Sequence, residues 1–206
     1  MIVIIDYEVG NLSSIKNMLK KIGYRDVVIS NDKSKIRDSD KLILPGVGHF
    51  DYGMRQLQAS GLVDTLNQVV LEDKKPILGI CLGAQLLTRG SEEGNEKGLG
   101  WIEADTVKFD VSKLPSNLKI PHMGWTEVEA TGKSKLFEEM YQEPRFYFVH
   151  TYHIICDTTE DIAVKANYGY EFVAGVEKGN ILGMQFHPEK SHKYGMKLLS
   201  NFINNY

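Results

Sequence analysis

The run Pro76-Ile-Leu-Gly-Ile-Cys81-Leu-Gly-Ala-Gln-Leu-Leu87 constrains the fold more than any other stretch of the chain. Residues 76–80 form an apolar segment of strand length, and a helical pattern begins over residues 84–87. A strand that passes so abruptly into a helix needs a sharp corner. Gly79 and Gly83 flank Cys81 at minus two and plus two, the frame in which backbone approaches a strained nucleophile so closely that a Cβ would clash. A thiol at that corner sits at a helix N-terminus, whose partial positive charge favours thiolate. The competing explanation is a small buried cysteine packed at a strand end, the commoner fate of an intracellular cysteine. Partners for the thiol decide between the two.

The surrounding segments alternate short apolar strands with helical patterns, which predicts an α/β fold with a mostly parallel central sheet flanked by helices. Strands are expected over residues 1–5, 27–30 and 41–44. Helices are expected over 11–22, where Leu12, Ile15, Met18, Leu19 and Ile22 share a face, and over 50–58 and 62–72. The cysteine then lies at the carboxyl end of a sheet strand, where open α/β sheets place their sites. From Gly98 the texture changes to short strands, expected over 100–109, 127–129, 146–150, 152–156, 172–177 and 181–185, before a closing helix over 193–204. Residues 91–99 and 114–124 read as the decorated loops. No repeat or long linker interrupts the 206 residues, and 42% hydrophobic content suffices for one core, so a single domain over residues 1–206 is expected.

A net charge of −3 with scattered lysines leaves no basic footprint for nucleic acid. No apolar run approaches the roughly 20 residues that span a bilayer, and residues 1–6 lack the basic start of a signal peptide. Neither membrane nor nucleic acid is expected as a partner. The two cysteines, Cys81 and Cys156, fit a reducing cytoplasmic compartment better than a disulfide framework.

A nucleophilic thiol needs a base, and the base needs an orienting group. Of six histidines, His187 stands directly after the apolar strand 181–185, in Gln185-Phe-His187-Pro-Glu189. Read as extended chain, residues two apart face one side, so Glu189 would hold the His187 imidazole in one tautomer while Pro188 fixes the backbone. His49 either begins a helix or lines a ligand site, and His122 and His150 either line a site or an interface. His153 and His192 read as surface residues. No cysteine and histidine spacing suggests a metal. Acyl transfer also requires oxyanion donors. The N–H of Leu82, next after the nucleophile, is one candidate. Val47, between Gly46 and Gly48 at a neighbouring strand end, is the other, although a tight strand-to-helix turn explains those glycines equally well.

Together these residues make the chain similar to the class I (triad) glutamine amidotransferases, and among them to the glutaminase subunits of imidazole glycerol phosphate synthase. The resemblance covers nearly the whole chain and rests on Leu44-Pro-Gly-Val-Gly-His-Phe50, Gly79-Ile-Cys-Leu-Gly83, Ser91-Glu-Glu-Gly94, Gly98-Leu-Gly-Trp-Ile102, Pro121-His-Met-Gly-Trp125, Tyr147-Phe-Val-His-Thr-Tyr152 and Gln185-Phe-His-Pro-Glu-Lys-Ser191. It implies a flavodoxin-like single-domain fold and hydrolysis of glutamine through Cys81, His187 and Glu189, with Val47 and Leu82 as the oxyanion hole and no cofactor. It further implies that Gly46, Gly48, Gln85, Thr151 and Tyr152 bind glutamine. Asn11, Trp125, Tyr147 and Lys190 would meet a (βα)8 barrel cyclase subunit, HisF, which receives the ammonia. Ala84 and Thr126 replace the methionine and asparagine frequent in the family. Thr126 borders the expected interface, which keeps open a paralogue serving another synthase, such as one that aminates a cell-surface sugar.

Overall fold

Burial along β1 (Ile2–Ile5) sets the architecture. Ile2 and Ile4 enter one hydrophobic cluster, and Val3 and Ile5 enter another, as the two-residue period of a strand requires. Both faces of the sheet are therefore covered, which is why these strands are continuous apolar runs rather than alternating ones. The computed structural model describes residues 1–206. In it β2 (Val27–Ser30), β1, β3 (Lys41–Gly46), β4 (Ile77–Cys81) and β11 (Ile181–Met184) run parallel in that spatial order. Antiparallel strands β10 (Tyr170–Lys178), β9 (Ile162–Tyr168), β6 (His122–Ala130) and β7 (Arg145–His150) extend the sheet. A further pair, β5 (Ala104–Lys108) and β8 (Tyr152–Cys156), joins it through β10.

Helices α1 (Leu12–Lys21) and α6 (His192–Asn205) cover one face with Ile15, Leu19, Leu198, Leu199 and Phe202. The opposite face is covered by α3 (Phe50–Ala59) and α4 (Val63–Asn67), through Met54, Leu57 and Leu66. Several boundaries differ from expectation for local reasons. The helix expected over 62–72 is α-helical only in α4 and widens into a π turn over Gln68–Glu72. The strand expected from residue 100 begins at Ala104. In contrast, β6 begins at His122 and absorbs the end of the expected loop. One α-helix and one strand had no expectation: α2 (Lys33–Asp38), too short to show a helical period, and β9. No helix is long and apolar enough to cross a membrane.

Candidate active site

Strand register brings three chain segments to one point. Gly46 pairs with Cys81 across β3 and β4, and Met184 pairs with Ile80 across β11 and β4. Chain leaving β3 and chain leaving β11 therefore flank the thiol on opposite sides. Cys81 adopts φ +53° and ψ −112°, a conformation that side chains avoid and that surrounding structure must impose. The glycines permit it. A Cβ on Gly83 would lie 1.9 Å from the Leu44 carbonyl oxygen, and one on Gly79 would lie 2.7 Å from the Gly83 oxygen. The helix that follows, α5 (Leu82–Gln85), has only four residues. The helix-dipole contribution inferred from the sequence is accordingly small, and the charge partner of the thiol must be a side chain.

That side chain is His187, 1% exposed. Its Nδ1 lies 2.7 Å from Glu189 Oε1, and both side chains are buried. The segment Pro188–Lys190 is a 3-10 turn rather than the expected extended chain, so the carboxylate reaches the ring by curling back under it. Burial works against charge on the imidazole, but the Cys81 sulfur and Glu189 outweigh it and raise the group from 6.5 to about 9. Nε2 of His187 has no hydrogen-bond partner, leaving it free for a proton exchanged with a reacting group. The turn is laced to β7: the His187 N–H donates to the Tyr147 carbonyl at 2.9 Å, and the Tyr147 N–H donates to Ser191 Oγ at 3.0 Å.

These groups open onto a cavity of about 460 Å³. Cys81, His187, Val47, Gly48, Leu82, Gln85, Thr151 and Tyr152 all line it. Gly46 does not; it packs beneath, where a Cβ would come within 2.6 Å of the Gly83 nitrogen. Gly48 has φ +96° and Val47 is 43% exposed, so the peptide between β3 and α3 lies at the cavity mouth with its flanking glycine already in left-handed geometry. His49 caps α3, its Nδ1 accepting the Asp51 N–H at 3.2 Å, and also borders the cavity.

Sequence reasoning assigned no role to Glu93. It is the single acidic residue lining the cavity, fixed there because its Oε2 accepts the Phe50 N–H at 2.8 Å. The only signal was its place in Ser91-Glu-Glu-Gly94. Gly94 is required where the loop crosses Asp51, since a Cβ there would fall 1.9 Å from Oδ1.

His122 and His150 are buried and joined. His122 Nδ1 lies 2.9 Å from His150 Nε2, His150 Nδ1 lies 2.7 Å from the Tyr152 carbonyl, and His122 Nε2 lies 2.8 Å from Thr126 Oγ1. A carbonyl only accepts, so His150 carries its hydrogen on Nδ1, accepts from His122 Nδ1–H, and leaves His122 Nε2 to accept from the Thr126 hydroxyl. Burial keeps both rings neutral, lowering His122 to about 4 and His150 well below its ordinary value. His153 departs from expectation: it is buried against Phe109 with Nε2 3.3 Å from the Tyr170 hydroxyl. Phe109, Tyr170 and Phe172 pack around its ring, while Ile155, two residues on, stays 50% exposed. His192 is exposed as expected and stacks flat on Trp125 at 5.4 Å.

Of the positions expected at a partner surface, Trp125, Tyr147 and Lys190 form one patch. Trp125 is 46% exposed, its ring stands edge-on to Tyr147, and Lys190 Nζ lies 5.7 Å from the Tyr147 ring centroid. Asn11 is exposed at the head of α1, where its side chain accepts the Ser14 N–H, and α1 packs against the Pro188–Lys190 turn. Met123 adds a further exposed apolar side chain beside Trp125.

Residues 3–205 match the family described as glutamine amidotransferase class-I. A Methanococcus maripaludis protein named imidazole glycerol phosphate synthase subunit HisH 2 is 55% identical over 203 residues, covering 98% of both chains. A Pseudomonas aeruginosa protein of the same name is 47% identical over the same share of both chains. Among solved structures, Thermotoga maritima PurLQS aligns with a TM-score of 0.73 at 20% identity, over 99% of this chain and 97% of that one.

Proposed function

Given a family match over residues 3–205 and a relative 55% identical, the chain belongs to the class-I glutamine amidotransferases, and we propose that it is the glutaminase subunit of imidazole glycerol phosphate synthase. In that role it releases ammonia from glutamine for a (βα)8 barrel cyclase subunit, HisF, in histidine biosynthesis. The relatives carry the synthase name, which favours this acceptor over the cell-surface sugar that Thr126 had left open. Thr126 has a local reason to be a hydroxyl residue, because it donates to His122. Both cysteines are free, which suits a reducing cytoplasm.

The observation that carries the reading is the conjunction of a strained Cys81 and a buried His187–Glu189 pair on one cavity. Glutamine enters with its side-chain amide toward Cys81 and its α-ammonium toward Glu93, the opposite charge within the lining. The Cys81 thiolate attacks the amide carbon, forming a C–S bond while the carbonyl π electrons move to oxygen. The N–H groups of Leu82 and Val47 receive that oxyanion. His187 gives its Nε2 proton to the departing nitrogen, and collapse leaves ammonia and a glutamyl thioester. The now neutral imidazole takes a proton from water, whose oxygen attacks the thioester, and glutamate leaves as Cys81 returns to thiolate. Glu189 keeps Nδ1 protonated throughout. The whole chain acts as one domain in this scheme, and Trp125, Tyr147, Lys190 and Asn11 dock the barrel, so that ammonia passes within a heterodimer.

The test is glutamate release by the purified chain alone, with the barrel cyclase, and with the cyclase loaded with its acceptor. The expected outcome is slow release alone and a large increase with the loaded partner, because the Val47 peptide lies at the surface the partner covers. Full activity of the isolated chain would refute the coupling. No stimulation by the imidazole-forming cyclase would refute the acceptor assignment.

A further inference from the structure

The Cys81 sulfur has a polar neighbour that the triad does not use. Gln185 is fully buried just past β11, two residues before His187, and its Nε2 lies 3.7 Å from Cys81 Sγ. Its main chain is pinned by an N–H bond to the Ala174 carbonyl at 2.9 Å. Which end of the side-chain amide meets the sulfur is fixed by a sequence of donors and acceptors. The Tyr152 carbonyl only accepts, so Gln85 presents its NH2 there, at 3.3 Å. The same nitrogen lies 3.0 Å from Gln185 Oε1. That occupies the Gln185 oxygen and turns its NH2 to the thiol. Reversing the amide would set two NH2 groups against each other and an oxygen lone pair against the sulfur.

We propose that Gln185 is a catalytic residue of this site: a prealigned N–H donor that positions the Cys81 sulfur and stabilises it as thiolate. Gln85, beyond its expected contact with glutamine, locks that donor in place. The proposal rests on the glutaminase reading for its importance to turnover, but the donor itself is a property of the resting chain. A hydrogen bond to an ionised acceptor is the stronger kind, and a neutral amide supplies it at every pH. The ionisable groups around the sulfur are His187 and Glu189 past β11, Tyr7 after β1, His150 at the end of β7, and Glu93 and His49 across the cavity. Gln185 adds no charge to that set, so its removal leaves their mutual interactions in place.

The experiment follows iodoacetamide alkylation of Cys81 by peptide-resolved mass spectrometry between pH 5 and 9, on the full chain without partner or glutamine. Cys156 in the same chain is the internal control. Gln185→Met, close in volume and without a donor, should move the Cys81 midpoint up by about one pH unit, the tenfold equivalent of one charge-assisted hydrogen bond. Cys156 should be unchanged. Gln85→Met, which frees the Gln185 amide to rotate, should shift the midpoint the same way by less. An unmoved midpoint in Gln185→Met overturns the proposal. Should that variant not fold, the wild-type chain labelled with 15N-glutamine answers instead: the Gln185 side-chain NH2 resonance should move with the Cys81 midpoint, and a resonance indifferent to it overturns the proposal. A chain that alkylates as described yet releases no glutamate with the barrel sinks the glutaminase reading and leaves the donor standing.

Discussion

Glu189 and His187 are each an anomaly without the other. Glu189 is a buried carboxylate whose Oε2 has no hydrogen-bond partner, and a buried charge without a counter-charge is strongly unfavourable. His187 holds a proton against its own burial because Glu189 and the thiol favour the imidazolium. Glu189→Gln keeps the shape and removes the charge. It should lower kcat of the partnered enzyme by on the order of 10³ with little change in KM, as loss of an imidazole-orienting carboxylate does elsewhere. Imidazole NMR should show His187 titrating closer to 6.5 than to about 9. A fall in kcat of less than tenfold would mean that Glu189 is merely structural. In the proposed scheme the role of Glu93 is of a different kind, a contact to the α-ammonium of glutamine, which does not react. Glu93→Gln retains an acceptor for the Phe50 N–H and loses the charge, so KM should rise by about ten- to a hundredfold while kcat changes little. A glutamine analogue lacking the α-amino group checks this, because wild type and variant should then bind it equally.

Close approach, rather than handedness, governs the two glycines that frame the thiol, Gly79 and Gly83. At Gly83 the atoms that a Cβ would strike are Leu44 O at 1.9 Å and Leu44 C at 2.8 Å, both backbone of the adjoining strand and unable to rotate away. Gly23 has φ +93° but open space around it. Gly83→Ala should therefore cost more than about 3 kcal/mol or prevent folding, whereas Gly23→Ala should cost about 1 kcal/mol for left-handed strain alone. Urea unfolding of the two variants decides it, and equal costs would mean that the elbow is looser than its packing indicates. This is also why the elbow was legible in the sequence: the glycine spacing is itself the packing constraint. Parallel strands were legible for a similar reason, since burial on both faces leaves apolar runs. The rest was hidden for physical reasons. Residues 162–168 of β9 carry Lys165 and Asn167 on a partly solvated face, and the curl of Pro188–Lys190 is tied down by Ser191, Tyr147 and α6. Gln185 shows the limit most clearly. Sequence reasoning gave it no role, and the end of its amide that meets the sulfur follows from Tyr152 and Gln85, remote in sequence.

Across the whole molecule, the parallel half carries Cys81 and, just past β11, His187, while the antiparallel strands carry the buried His122, His150 and His153, and these four imidazoles together decide how stability varies with pH. His122, His150 and His153 lie below their ordinary value because burial disfavours their charge. In the unfolded chain they take up protons near 6.5; in the fold, His122 waits until about 4. Below 6.5 the unfolded state thus binds more protons, so the stability present above 6.5 is lost as the pH falls toward 4. His187 has the opposite sign. Raised to about 9, its contribution is complete below 6.5 and is lost as the pH climbs through 9. Stability measured by urea unfolding should therefore peak near neutrality and decline on both sides, with separable limbs. His122→Gln, which keeps a donor and an acceptor between His150 and Thr126, should flatten the acid limb by on the order of 3 kcal/mol, the worth of a shift from 6.5 to about 4. Glu189→Gln should flatten the alkaline limb and leave the acid one. A wild-type profile that rises steadily from pH 4 to pH 9 would contradict the His187 assignment, and one that stays flat between pH 4 and 6.5 would contradict that of the buried rings, since those groups would then not titrate as their surroundings require.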